Sequence, residues 1–165
     1  MTDSNEGVPD IEPLELFEWF DRARVLLDKL NAIDPDSGIE SALRRAFHFA
    51  QLTPHPLRDL VSPSISEADY EILLDNGAYV SAALALIGAR VGYQLMRSIN
   101  SDDVEATVCF STDQSDAIPS TSECAATAIL GSWHRGLNAL WQPASDQSGS
   151  KGRFAPHLVL HKFQP

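Results

Sequence analysis

Hydrophobic positions recur with helical spacing in three stretches of the chain. The first, from about Pro13 to Asn31, places apolar side chains at steps of three and four residues along one face. A second stretch follows Ser37 and continues to about Gln51, and a third follows Ser120 and continues to about Trp141. Ser37 and Ser120 each precede a glutamate by three residues, the spacing of a capping box at a helix N-terminus. We therefore predict a helix over each stretch.

The segment between residues 66 and 98 is also predicted to be helical, but many of its side chains are small. Ser66 to Asp69 resembles a capping box, and Asn76-Gly77 is typical of a helix C-terminus. We expect helices at 66–76 and 78–98, or one long bent helix. One strip of this segment consists of Gly77, Ser81, Ala85, Gly88 and Gly92. Because small residues allow another backbone to approach closely, the strip is predicted to be either the most buried part of the core or a self-association interface.

Two stretches alternate with a period of two, which is typical of strands: residues 104–110 and residues at about 155–163. The helix between them permits a right-handed parallel crossover. A sheet of two strands is marginal by itself. We therefore expect one of three arrangements: an unrecognised strand completes the sheet, the two strands lie across the helices, or a partner supplies further strands. We predict a mainly helical α+β fold, with four to five helices in a bundle and one small sheet.

The domain organisation follows from length and local composition. With 165 residues, the chain has a common size for one domain. Residues 1–10 are polar and acidic and are predicted to form a loose tail. Residues 11–165 are predicted to form a single globular domain, interrupted at about 143–153 by a segment with the composition of a flexible linker.

Negative charge dominates the chain and is unevenly distributed. The net charge is −11; residues 1–40 hold eleven acids and three bases, and residues 101–150 hold seven acids and one base. The last fifteen residues carry only Lys151, Arg153 and Lys162. Because nothing clusters Lys and Arg as a phosphate-binding surface requires, the charge argues against direct nucleic-acid binding. It favours a solubilising role or contact with a basic partner.

The compartment is predicted from the N-terminus, the cysteines and the longest uncharged stretch. The N-terminus lacks the basic start and apolar run of a signal peptide, so we expect a cytoplasmic protein with Cys109 and Cys124 as reduced thiols. The fourteen uncharged residues from Asn76 to Ala89 are fewer than the about 18 that a membrane span requires. We expect no membrane association.

Candidate chemistry is sparse. Cys124 is predicted to lie near a helix N-terminus, a position that favours a reactive thiolate, next to Glu123 and in the same predicted helix as His134. Asp113 lies in the preceding acidic loop. Packing is the simpler role for Cys124, and neither closely spaced zinc ligands nor a calcium-loop pattern is present. We expect no metal and no cofactor.

Three functional hypotheses follow. The first is a non-enzymatic protein-binding or adaptor protein, acting as a homo-oligomer or as an accessory subunit of a larger assembly, with the small-residue strip as its candidate interface. The second is a small enzyme whose site gathers Asp113, Glu123, Cys124 and a histidine. The third is a sensor that binds an apolar small molecule between helices, beside Gly88 and Gly92.

Overall fold

The fold is known from a computed structural model that describes residues 15–31, 38–110 and 118–140. This part contains six helices and one three-stranded antiparallel sheet. The mainly helical α+β fold that the sequence predicts is confirmed. In chain order the elements are α1 (Leu16–Asn31), α2 (Ile39–Gln51), a 3-10 turn (His55–Leu57), α3 (Arg58–Val61), α4 (Glu67–Asp75), α5 (Tyr79–Ala85), β1 (Gly92–Arg97), β2 (Val104–Cys109), β3 (Ser120–Ser122) and α6 (Ala125–Leu140).

Helices α1 and α2 pack together through aromatic side chains. Trp19 of α1 is fully buried, and its ring stacks on that of Phe49 with 4.7 Å between the centroids. The Trp19 indole N–H also donates to the Phe49 carbonyl, at 3.4 Å. On α2, Phe47 stacks on Tyr70 of α4 at 4.1 Å. These contacts make α2 the bridge between α1 and α4.

A charged cluster ties α2 to α4 at the surface. The Arg44 guanidinium bonds both carboxylate oxygens of Glu71, at 2.7 to 3.1 Å, and one oxygen of Glu40, at 3.0 Å. The hydrogen bonds to Glu71 raise the pKa of Arg44 above its usual range, and Arg44 lowers that of Glu71. Glu40 thus pairs with Arg44, whereas the predicted capping box would turn it towards the helix N-terminus. The cap of that box, Ser37, lies outside the described residues, and Gly38 occupies the N-cap position.

The other two capping boxes have opposite outcomes. Ser66 caps α4 as predicted, because its hydroxyl oxygen accepts from the Asp69 amide at 3.2 Å. The prediction of a capping box at Ser120 is wrong, since residues 120–122 form β3 and α6 begins only at Ala125. Ser122 instead accepts a hydrogen bond from the Cys124 amide at 3.2 Å.

The predicted helix over 78–98 is wrong beyond residue 85. After α5 the chain turns through Gly88, where an added Cβ atom would overlap the Leu60 carbonyl oxygen. The chain then enters β1 at Gly92. The strip of small residues is therefore divided among a turn, a helix and a strand, and the close backbone approach expected of it occurs at Gly88. Gly77 ends α4 with a φ of +67°, which confirms the predicted helix C-terminus.

The sheet has the order β1-β2-β3, with β2 in the centre and both pairings antiparallel. β2 confirms the strand predicted at 104–110. Within the described residues, β2 pairs with two strands that the sequence pattern did not indicate, β1 and β3. The predicted strand at about 155–163, the linker at 143–153 and the tail at 1–10 lie outside the described residues.

Helix α6 is the centre of the described core. It contacts α1, α5, β2 and β3, and nine of its sixteen residues are buried. We expected the segment from 78 to 98 to take this place, but its second half is an edge strand. No helix in the described residues is long and apolar enough to cross a bilayer.

Candidate protein-binding edge

Strand β1 forms an open edge of the described sheet. It pairs with β2 on one side, and all six of its residues are exposed. Three of them are large and apolar: Tyr93, Leu95 and Met96 are 54%, 38% and 47% exposed. An edge that combines unpaired backbone groups with apolar side chains is a template for another strand.

The register shows which backbone groups of β1 point outward. The Ser98 amide donates to the Asp103 carbonyl at 3.3 Å, and this pair directly continues the antiparallel register of Arg97 with Val104. Hydrogen-bonded and non-hydrogen-bonded pairs alternate along an antiparallel ladder. The N–H and C=O groups of the alternate residues Tyr93, Leu95 and Arg97 therefore point away from β2, towards the open edge.

A hydrogen bond on the far side of β2 supports this assignment independently. Val108 stands opposite Tyr93, and its amide donates to the Ser132 hydroxyl oxygen of α6 at 2.8 Å. The same hydroxyl donates to the Ile118 carbonyl at 3.0 Å. Val108 thus turns its amide away from β1, as a non-hydrogen-bonded pair requires. The Ser132 hydroxyl thus links Val108 of β2 to Ile118, which precedes β3. These two residues lie just beyond the paired part of β2 and β3, which ends at Ala106 and Ser120.

The two faces of β1 differ in their neighbours. Directly opposed residues of antiparallel strands share a face, so Tyr93 and Leu95 lie on the face of Val108 and Ala106. Those two β2 residues are buried on the strand that packs against α6. Tyr93 and Leu95 therefore lie beside the buried residues of β2, on the same face of the sheet, but are themselves exposed. Met96 lies on the other face.

The hairpin formed by β1 and β2 carries net negative charge. Between residues 92 and 109 the acids are Asp102, Asp103 and Glu105, and the single base is Arg97. Arg97 already pairs with Asp102 at 3.4 Å. The remaining two carboxylates favour a partner with positive charge.

The structure does not bring Glu123 and Cys124 together with His134. Glu123 is exposed, Cys124 is half-buried directly before α6, and His134 is fully buried within that helix. Ten residues of helix separate Cys124 and His134 by about 15 Å. Asp113 lies outside the described residues.

His134 is a polar side chain that is buried in the core. Its ring meets that of Trp133 edge-on at 5.1 Å, and neither ring nitrogen has a hydrogen-bond partner in the described structure. Burial lowers the pKa of His134 from 6.5 to about 3. The imidazole is therefore neutral at physiological pH.

The residues of the predicted interface strip are dispersed. Gly77 and Ser81 are exposed on the α4–α5 turn and on α5, Ala85 is half-buried, and Gly88 is buried against Leu60. Gly92 alone belongs to the β1 edge. The sequence reasoning missed this edge. Two features of the sequence indicate a strand at this position. The strand predicted at 104–110 requires a pairing partner, and the polar residues 98–103 suit the turn of a hairpin.

Across residues 15–31, 38–110 and 118–140, no three His, Cys, Asp or Glu side chains are grouped so that they could hold a metal ion. The geometry therefore leaves the β1 edge as the best candidate site in the described part of the chain. No protein-family model, curated protein or solved structure matches this chain.

Proposed function

We propose that this protein is a non-enzymatic binding protein that takes up an extended segment of a partner protein along β1. The observation that carries the proposal is the row of outward N–H and C=O groups at Tyr93, Leu95 and Arg97. Strand addition to such an edge obtains affinity from main-chain hydrogen bonds and specificity from alternate side chains. A protein of this kind acts as an adaptor or as an accessory subunit of an assembly.

The surroundings of the edge define the partner segment by its chemistry. Alternate side chains of an added strand would lie beside Tyr93 and Leu95, so apolar side chains suit these positions. The carboxylates of Asp103 and Glu105 favour Lys or Arg elsewhere in the segment. The partner is therefore an extended, apolar and basic stretch of protein, and association with it should slow as salt rises.

We also propose a cytoplasmic location. Cys109 and Cys124 are both free thiols, and intracellular reducing conditions keep cysteines in this state. The proposed binding mode uses neither of them.

Site-specific photocrosslinking can identify the partner segment. A photoreactive residue at Tyr93 in the full chain should crosslink to a discrete segment of one protein, identified by mass spectrometry. The matched control places the same residue at Ile72, which is 56% exposed on α4. Crosslinks of equal yield and identity from both positions would show unspecific contact.

The crosslinked segment then serves as a synthetic peptide for a backbone test. Leu95→Pro removes an outward amide while leaving the ladder bonds of Gln94 and Met96 in place, whereas Leu95→Ala removes only side-chain atoms. Strand addition predicts that the proline variant weakens peptide binding about tenfold more than the alanine variant does. Equal affinities of the two variants would contradict the proposed mode.

A further inference from the structure

The chemistry expected of the partner segment is also that of β1 itself. Residues 90–97 read Arg-Val-Gly-Tyr-Gln-Leu-Met-Arg, with two bases and no acid. All but the first two of these residues belong to β1, and they are extended and exposed. A second copy of the protein therefore offers the β1 edge an extended, apolar and basic strand.

The outward backbone groups of β1 determine how two copies can pair. Two identical chains usually associate about a two-fold axis, and two antiparallel edge strands obey this symmetry. With the axis at Leu95, Leu95 stands opposite its own copy and Tyr93 stands opposite Arg97 of the second copy. The three outward residues of each strand then pair only with one another. Every outward N–H donates to an outward C=O of the other copy.

The side chains that this register brings together are compatible. Directly opposed residues share a face of the sheet, so the two Leu95 side chains meet at the centre and a Tyr93–Arg97 pair flanks them on either side. An arginine beside an aromatic ring gains cation–π attraction. On the other face, Met96 stands opposite Gln94 of the second copy. The pairing thus covers the apolar side chains that a single chain exposes on both faces of β1.

Charge is also complementary in this register. The start of β1 in one copy lies beside the turn 98–103 of the other. Arg90, which is exposed two residues before β1, therefore lies at the same end as Asp102 and Asp103 of the second copy. The two Arg97 side chains are kept apart, because their positions along the strands differ by four residues, or about 13 Å. This separation exceeds the screening length of about 8 Å at physiological salt.

Helix α6 leaves room for the pairing. It contacts β2 and β3, and the two β2 strands of the pair would lie three strand spacings apart, or about 14 Å. Packed helices need only about 8–10 Å between their axes. The α6 helices of both copies can therefore lie side by side on one continuous sheet.

We propose that the partner strand at the β1 edge is β1 of a second copy, and that the protein forms a two-fold symmetric dimer with its axis at Leu95. This inference rests on the proposed function, because it names the partner of the same edge. The protein then acts as a homo-oligomer, and any other protein that binds the edge must displace the second copy.

Disulfide trapping tests the register in the full chain, in a background that lacks the two native cysteines. Leu95→Cys should form an intermolecular disulfide, because opposed Cα atoms of a hydrogen-bonded pair lie about 5.5 Å apart, within the range of a disulfide. Tyr93→Cys and Arg97→Cys should not crosslink when each is incubated alone, but should crosslink when the two are mixed. Ile72→Cys, exposed on α4, controls for random collisions.

Sedimentation equilibrium measures the contribution of the backbone. Leu95→Pro removes the outward amide at the axis from both copies, and proline is tolerated on edge strands, whereas Leu95→Ala removes only side-chain atoms. The dimer dissociation constant of the proline variant should exceed that of the alanine variant about tenfold or more. Circular dichroism of both variants should match that of the wild type.

Three results would overturn the proposal. A wild-type chain that sediments as a monomer at every concentration would show that the edge does not self-associate. Equal dimer dissociation constants of Leu95→Pro and Leu95→Ala would place the contact elsewhere. Disulfides that form as readily in Tyr93→Cys alone as in Leu95→Cys would exclude the axis at Leu95. Binding of a different protein at β1 is tested separately: a monomer that still binds a crosslinked peptide, and binds it more weakly as Leu95→Pro, would retain the proposed function and reject only the second copy.

Discussion

His134 should make the protein less stable in mildly acidic solution. Its ring is fully buried, and burial lowers its pKa from 6.5 to about 3. The folded state therefore holds the neutral form between these values, while the unfolded chain binds a proton. Because the unfolded state takes up more protons, the free energy of unfolding falls as the pH decreases from 6.5 towards 3.

The magnitude follows from the size of this interval. Each pH unit below 6.5 removes about 1.4 kcal/mol while the folded state remains unprotonated. Between pH 7.5 and pH 5, His134 alone should cost about 2 kcal/mol. A typical domain has a stability of only about 5–15 kcal/mol, so the effect is large enough to measure.

Urea unfolding at the two pH values, for the wild type and His134→Leu, isolates this contribution. Leucine removes the titrating group and leaves no buried imidazole nitrogens unpaired, so the variant should be at least as stable as wild type at pH 7.5. Between pH 7.5 and 5 it should lose about 2 kcal/mol less than wild type. His55→Gln, at an exposed position, should retain the wild-type loss and serves as the matched control. An equal loss in wild type and His134→Leu would refute the reasoning.

The remaining predictions concern packing, and thermal or urea unfolding checks each of them. Gly88→Ala should destabilise the protein by about 3 kcal/mol, because the new methyl group would overlap a backbone carbonyl. Gly92→Ala, whose Cβ would lie 3.9 Å from its nearest neighbour, should change little; similar effects of both would contradict the contact at Gly88. Ser132→Ala should lower the free energy of unfolding by about 1–3 kcal/mol, since it leaves the buried amide of Val108 unpaired. An unchanged unfolding midpoint would contradict the hydrogen bonds assigned to Ser132. Replacing both Cys109 and Cys124 with alanine should preserve the fold and partner binding at a cost of about 1–2 kcal/mol; loss of binding would assign the thiols a function.

The long amphipathic helices were predictable because one local pattern determines each of them. The apolar stripes of α1 and α2 repeat at steps of three and four residues within each helix. Ser66 was predicted as a cap because its partner lies three residues away. In these cases the information is contained within a few helical turns of sequence.

β1 was not predictable from its own residues. Gln94, Leu95, Met96 and Arg97 favour helix as isolated residues, and the small residues before them extend a helical spacing. Strand formation here depends on pairing with β2, since strand preference is set largely by neighbours. β3 was missed for a related reason: Ser120 and Ser122 suit a helix cap as well as a strand.

The candidate site was therefore missed together with its strand. Small residues at helical spacing indicate an interface on a helix, but the close backbone approach among them, at Gly88, belongs to the core. The outward amides of Tyr93, Leu95 and Arg97 follow from the register of two strands, which no single stretch of sequence contains.

The packing of α1 against α6 has a consequence for synthesis on the ribosome. Helix α1 is made first, yet Trp19 and Phe20 belong to a core whose central helix ends at Leu140. At about 5–20 residues per second, roughly 6–25 s pass between the synthesis of the first residue of α1 and that of the last residue of α6. During this interval the nascent chain holds uncovered aromatic side chains, which are the surfaces that chaperones bind. The folding of this domain is therefore delayed until almost all of its described residues have been translated.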